Sequence, residues 1–473
     1  MKGEVRLGLN IPLFVASIVS IGTGTLVGMV AIWWYLAWGL PAPEWQKVSH
    51  AHAAWWSAII LIAAMLLPSL ELRRWVKRFI VWGTFIGPVF WVGVIAAYYE
   101  LGGGMIWRFR DPLIESYYSI PVLGVIAGIL EFLGFLAMSI VALSAAGIRL
   151  PFLHDHGARP GRYDLLSDVY IPRKVFLIPF LIITIGVVTG FILTGFFKSI
   201  GLPIRPAALV QLHDHTALLA LSALIILMLT RVLKAPDEIF EGMYRLMVIG
   251  LPLLTIGLIL FVLDIFPSVA WVLPAGIYYL IPVSAALYSS GLISRISLAG
   301  YLPAIRVASA ICLFGILLLV AQGAYIALVW DVSPDVTVTY RQPEGVEYPG
   351  PYPDEYLGTA PVKNSPRGLE NAHLSPGSWY HIALTWLMML GAVGDKIFRG
   401  ILGRPNLIYL FIVTIPAAPT FNMLGRYLAW AGIPNGIGAL FFAGHPLKGF
   451  NIISLFILGL YLIYRLSRSG GDG

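Results

Sequence analysis

The chain has 473 residues and a formal net charge of +7, and its composition excludes a soluble protein. Hydrophobic residues make up 58% of it and charged residues only 12%, whereas soluble domains carry about 25% charged residues. The mean hydropathy is +0.83. The long apolar runs are unbroken rather than alternating, so they predict spanning helices and not a membrane β-barrel. The single cysteine, Cys312, excludes disulfides and cysteine-held iron–sulfur clusters within this chain.

Twelve apolar segments are each long enough to cross a bilayer, which takes about 20 residues. We predict spans at 11–37, 50–70, 78–99, 117–147, 175–198, 212–231, 244–265, 269–293, 304–330, 378–396, 405–429 and 446–465. With the N-terminus inside, 21 of the 31 Lys and Arg residues fall on the inner side. The positive-inside rule therefore predicts a multi-pass protein of the cell membrane with both termini in the cytoplasm. The outer loop 331–377 is either a solvated surface or a docking site for a partner subunit on the outer face.

Landmarks recur three times along the chain, which indicates an internal repeat. His52, His215 and His381 open spans 2, 6 and 10 and lie 163 and 166 residues apart. Prolines follow in the next two spans of each unit, at Pro88 and Pro121, Pro252 and Pro282, and Pro416 and Pro446. We predict an all-α membrane protein, 1–473, with twelve transmembrane helices in three quasi-repeated four-helix arcs. The repeats are expected at about 8–150, 170–296 and 303–468.

Five histidines lie at the starts of these three spans, at one predicted depth near the outer face. They are His50, His52, His213, His215 and His381. Ionisable residues inside a membrane are functional by default, so we expect at least two of the five to bind a cofactor. In each HxH pair the two rings point to opposite sides of the helix, since residues i and i+2 are about 200° apart. That geometry suits heme, which needs one axial imidazole on each face, better than one metal ion gripped by both rings.

The remaining polar residues have weaker signals. His154 and His156 lie in a polar inner loop, and His373 and His445 lie on the outer side, so all four are interpreted as structural. Glu131 lies in the middle of span 4, where a carboxylate is costly. It is either part of a proton or quinone path or a protonated side chain bonded to a backbone carbonyl.

Twelve spans in three arcs, with histidines at the outer ends of spans 2, 6 and 10, resemble the catalytic subunit of the heme-copper oxidase and nitric oxide reductase superfamily. The resemblance implies that His52, or His50, and His381 hold a low-spin heme. It also implies that His213 or His215 occupies the position of a second-metal ligand. Arg426, at the outer end of span 11, matches the place where that family binds heme propionates.

Three departures from the family pattern affect the second metal. Span 7 has no histidine, span 10 has one instead of HxH, and span 6 reads His213-Asp214-His215. A conventional copper site with three histidines therefore cannot be assembled. Four of the five histidines still permit a second heme, with His50 and either His213 or His215 as ligands.

We therefore expect a b-type cytochrome subunit of a respiratory oxidoreductase complex, containing one heme b and permitting two. Electrons would pass between quinone in the bilayer and a partner on the outer face. One alternative is a divergent terminal reductase of oxygen or nitric oxide. The other is a transporter without a redox cofactor. The net positive charge lies at helix ends and does not indicate nucleic-acid binding.

Overall fold

The computed structural model of the chain describes residues 3–37, 44–91, 94, 121–155, 157, 159–192, 207–267, 269–293, 301–329, 366–398, 405–430 and 434–468. Most of the predicted outer loop 331–377, and also His156, lie outside these residues. Span 78–99 is described only in part.

Within these ranges the chain forms twelve α-helices. They are α1 Ile11–Ala37, α2 Glu44–Leu66, α3 Arg74–Thr84, α4 Pro121–Ala145, α5 Leu177–Phe191, α6 Ala207–Val232, α7 Asp237–Val262, α8 Val269–Ser289, α9 Leu302–Val329, α10 Pro366–Phe398, α11 Pro405–Trp430 and α12 Pro434–Arg468. A π-helical turn, Phe85–Val89, follows α3 and contains Pro88. Each α-helix covers part or all of the predicted span with the same number.

Ten stretches of helix in the described part are long and apolar enough to cross a membrane. The helical, multi-pass membrane class predicted from composition is therefore confirmed. The arrangement of the helices in three arcs stays a prediction.

The chain divides into two compact units. The first comprises Met1–Leu177, Met388–Ile408 and Gly449–Gly473, and the second comprises Ile178–Leu387 and Tyr409–Lys448. The first unit therefore contains α1 to α4, and the second contains α6 to α9 with the histidine-bearing part of α10. The boundaries of the three sequence repeats stay a prediction.

A two-stranded antiparallel ribbon, which the sequence analysis did not predict, lies in the first unit. Strand β1, Glu4–Asn10, pairs with strand β2, Asp164–Pro172, from Glu4 opposite Pro172 to Asn10 opposite Asp164. Val5, Leu7 and Leu9 alternate along β1 and are buried. This alternation is the signal of a half-buried strand. The alternation covers only seven residues and adjoins the much longer apolar run of span 1, which dominates the hydropathy signal there.

Side chains join the ribbon to its surroundings in the first unit. Arg6 forms an exposed ion pair with Asp168 at 2.7 Å, and Lys396 donates to the Leu166 carbonyl. Asn10 donates from Nδ2 to the Asp164 carboxylate at 2.7 Å. Burial raises the pKa of the Asp164 carboxyl, although hydrogen bonds from Gly161 and Asn10 oppose the shift. The ribbon is therefore a structural element whose polar groups already have partners.

The glycines of spans 1, 5 and 9 allow the next helix to approach closely. A Cβ on Gly24 would lie 2.5 Å from the Ala53 Cβ on α2, and one on Gly186 would lie 2.7 Å from Thr216 Oγ1 on α6. A Cβ on Gly315 would overlap the Tyr380 ring on α10. Small residues at equivalent positions thus bring the first two helices of each sequence repeat together.

Candidate heme and metal site

The first histidine of each HxH pair is fixed to the preceding helix. His50 Nδ1 donates to the Gly24 carbonyl at 2.8 Å, and His213 Nδ1 donates to the Gly186 carbonyl at 2.7 Å. The two bonds connect equivalent helices of repeats 1 and 2. Because the carbonyl must accept, Nδ1 carries the proton and the lone pair is on Nε2. Metal-binding histidines are usually oriented by this kind of bond to a backbone carbonyl.

The second histidine of each pair faces another neighbour. The His52 ring lies 5.1 Å from the ring of Trp91, which follows the π-helical turn. The His215 ring lies 4.9 Å from the ring of Trp271 on α8. The HxH pairs therefore divide their rings between different helices, in the way that the spacing predicts. The order is the same in both pairs, because the first ring contacts the preceding helix and the second contacts a later tryptophan.

His381 is the most enclosed of the five, and only 9% of it is exposed. Its Nδ1 donates to the Gly377 carbonyl at 2.7 Å, one turn earlier in α10. Its Nε2 lies 2.7 Å from the Ser222 hydroxyl on α6, where a lone pair on Nε2 accepts from the hydroxyl. For His381 to bind iron through Nε2, the iron must replace the Ser222 hydroxyl.

His373, interpreted from the sequence as an outer-loop residue, lies in α10. Pro376, three residues later, is typical of a helix boundary, so the sequence alone predicts a loop at His373. In the structure Pro376 lies inside the helix. A Cβ on Gly323 of α9 would lie 2.7 Å from the His373 ring, so the ring packs directly onto the α9 backbone. The signal that could have found this residue is its place two helical turns before His381.

A buried positive cluster lies near Trp379, the residue at which the third repeat departs from the HxH pattern. Lys448 and Arg426 are 5% and 8% exposed. The Lys448 Nζ lies 3.1 Å from the centroid of the Trp379 ring. Arg426 donates from Nε to the Asn422 side-chain oxygen at 2.9 Å. The charges of Arg426 and Lys448 repel each other. An anionic group placed between them would be stabilised, because buried charges need a counter-charge.

The remaining polar residues singled out from the sequence lie apart from the histidines of α2, α6 and α10 along the chain. Glu131 is half-buried in α4 and has interacting neighbours. His154 bonds through Nδ1 to Leu150 in the turn before β2. Among the described residues, no three His, Cys, Asp or Glu side chains are grouped to hold a metal ion.

No known family model matches the chain, and its sequence matches none of the curated proteins.

Proposed function

We propose that the protein is a membrane-bound b-type cytochrome, a subunit of a respiratory oxidoreductase that passes electrons between quinone and a partner on the outer face. The observation that carries the proposal is that each HxH pair, on α2 and on α6, divides its two rings between different neighbours. His50 and His213 hold their rings by equivalent Nδ1 bonds to glycine carbonyls, at 2.8 and 2.7 Å. The same helices present His52 and His215 on another side.

His52 and His381 are proposed to supply the two axial imidazoles of one heme. The pairing follows from the resemblance and from their equivalent places in the sequence repeat. The Gly377 carbonyl fixes the His381 ring and leaves the proton on Nδ1. The lone pair on Nε2 would then bind iron in place of the Ser222 hydroxyl.

The buried positive cluster supports heme as the cofactor. A heme brings two propionate carboxylates, and Arg426 with Lys448 supplies two buried cations on neighbouring helices. The Asn422 side chain holds the Arg426 guanidinium from one side. Two neighbouring buried cations are stabilised by negative charge placed near them, which propionates would supply. This cluster is therefore proposed to neutralise and orient the propionates.

When bound, the heme supplies one-electron redox chemistry. The protein's own residues then control its surroundings. If His52 and His381 both bound the iron, a small gaseous ligand would find no free position on it. Trp91 packs against the His52 ring and limits the access of water on that side. Glu131 on α4 is proposed to belong to a proton or quinone path, since it is a half-buried carboxyl within a predicted span.

The test is optical spectroscopy on the purified full-length chain. We expect sharp low-spin b-type bands in the reduced-minus-oxidised spectrum and no change when carbon monoxide is added to the reduced protein. A carbon monoxide complex would favour the terminal reductase instead. A protein without heme would overturn the proposal and favour a transporter.

The proposed orientation places both termini in the cytoplasm and 331–377 outside. A cysteine introduced by Thr337→Cys should react with a membrane-impermeant maleimide on intact cells. The native Cys312 is buried and gives little background. Reaction only after the cells are opened would contradict the orientation.

A further inference from the structure

The exposed face of α3, in the first unit, presents two arginines next to an apolar surface. We infer that this face binds one anionic phospholipid, with the Arg74 and Arg78 guanidinium groups on its phosphate and its acyl chains along the apolar residues that follow. None of the histidines takes part, so the inference does not depend on heme.

The opposite face of α3 packs on α4. Ile80 and Gly83 are buried on that face. A Cβ on Gly83 would lie 3.8 Å from the Ala137 Cβ, and one on Gly87 would lie 2.7 Å from the Leu130 carbonyl oxygen. This contact determines which side of α3 points away from the first unit.

A row of exposed side chains runs along the other face of α3 and through the π-helical turn. Successive members are four residues apart, so they are neighbours on one side of the helix. They are Arg74, Arg78, Trp82, Ile86 and Phe90. Trp82 and Phe90 are 64% and 61% exposed. The row passes from cations through an indole ring to apolar side chains, which is the order that a phospholipid needs from its phosphate to its acyl chains.

The two arginines of the row have no counter-charge. Among the described residues, neither Arg74 nor Arg78 forms a hydrogen bond or an ion pair. The one acid in this stretch, Glu71, already pairs with Arg149 at 2.7 Å. A guanidinium group binds phosphate oxygens through two parallel hydrogen bonds. In the proposed orientation α3 begins at the cytoplasmic leaflet, which contains anionic lipids, so the charges match.

The apolar surface continues from α3 onto α4. Ile129, Phe132 and Leu136 are exposed on α4, and they flank Leu130 and Ala137, at which the two helices meet. Acyl chains would cover this surface. Free phosphate or an acidic soluble protein would satisfy the arginines and leave the apolar surface uncovered, which is why the occupant is inferred to be a lipid.

The test is native mass spectrometry of the purified full-length protein in detergent, titrated with dioleoylphosphatidylglycerol or with dioleoylphosphatidylcholine. We expect the first phosphatidylglycerol to bind more tightly than phosphatidylcholine. Arg74→Gln and Arg78→Gln should each weaken that binding about fivefold, the effect of one basic side chain at an anionic surface. The matched control is Arg159→Gln, an exposed arginine in the turn before β2, and it should bind like the wild type.

Two further variants separate the parts of the site. Arg78→Lys keeps the charge but loses the planar fork, so its affinity should lie between those of the wild type and Arg78→Gln. Trp82→Ala removes the ring between the arginines and the apolar residues and should also weaken binding of phosphatidylglycerol. Phe152→Ala, which truncates an exposed aromatic ring outside the row, is its control and should leave the affinity unchanged.

Three results would contradict the inference. The first is equal affinity of the wild type for the two lipids. The second is an equal loss of affinity in Arg159→Gln and Arg78→Gln, which would indicate diffuse attraction to the basic inner face. The third is displacement of phosphatidylglycerol by the same concentration of inorganic phosphate, which would indicate a site for phosphate alone. Heme content should be the same in all these variants, so a protein without heme that binds phosphatidylglycerol through α3 would overturn the proposed cytochrome function and leave this inference standing.

Discussion

The β1–β2 ribbon and the histidines of α2 and α6 both place polar groups in partly or fully buried positions, but they satisfy those groups differently. In the ribbon, Asn10 bonds Asp164, Arg6 pairs with Asp168, and the strands pair with each other. On α6, His215 has one ring nitrogen bonded to a backbone carbonyl and no described bond at the other. The polar side chains of the ribbon therefore find their hydrogen-bond partners within the protein. The second ring nitrogen of His215 has no described hydrogen bond, which indicates a position for a bound ligand.

The first and second histidines of each HxH pair also have different neighbours. His50 and His213 pack into glycine-lined contacts with the preceding helix. His52 and His215 lie beside tryptophans on other elements. We therefore assign a structural role to the first histidine of each pair, which bonds the preceding helix. We assign the cofactor-binding role to the second histidine. Four predictions can break or sharpen these two comparisons.

The largest stability effect is expected at the joining position. Gly190→Ala would place a Cβ 2.6 Å from His213 Cε1 and 2.8 Å from its Nδ1, which should displace the ring from the Gly186 carbonyl. Overpacking of this kind costs about 1–3 kcal/mol. Thermal unfolding in detergent should show a lower Tm. The control Gly242→Ala meets nothing within 4 Å and should raise the Tm slightly, because alanine favours a helix by about 0.5–1 kcal/mol over glycine.

A smaller effect is expected at Ser222, and its size should depend on heme. In the structure the Ser222 hydroxyl bonds His381 Nε2, so Ser222→Ala should destabilise protein from which heme has been removed by about 1 kcal/mol. With heme bound, iron would occupy Nε2, and the same substitution should change neither the Tm nor the heme content. An equal loss of stability in both states would show that His381 does not bind iron.

The smallest effect is a pH dependence in the ribbon. Burial raises the pKa of Asp164 above its ordinary value of 3.8, so the folded protein holds this proton more tightly than the unfolded chain. Stability contributed by this group is present at low pH and is lost as the pH rises from 3.8 through the folded pKa. Asp164→Asn should flatten this part of the curve of Tm against pH.

The sequence predicted the helices well because a spanning segment needs an apolar run that few other structures require. Helix α11, Pro405–Trp430, lies within one residue of the predicted span 405–429. The polar ends were less predictable. Helix α10 begins at Pro366, twelve residues before the predicted span. Its first three turns are polar, so the hydropathy of the sequence does not mark them as part of the helix.

The candidate site was predictable in its residues but not in its partners. The HxH spacing correctly predicted rings on different sides of one helix. It could not show that Ser222 faces His381, or that Lys448 lies over Trp379, because such contacts join residues more than 60 positions apart. His373 was missed because a proline three residues away normally ends a soluble helix. In a membrane protein, neighbouring helices can accommodate a proline within a helix.

The most direct test of the account compares His50→Ala with His52→Ala in the low-spin spectrum of the purified protein. The account predicts that His52→Ala abolishes the low-spin b signal, because one axial imidazole is lost, and that His381→Ala abolishes the same signal. His50→Ala should lower the Tm through loss of its bond to Gly24 and retain the signal. A full low-spin spectrum in His52→Ala, with the signal lost in His50→Ala, would contradict the claim that the second histidine of each pair carries the chemistry.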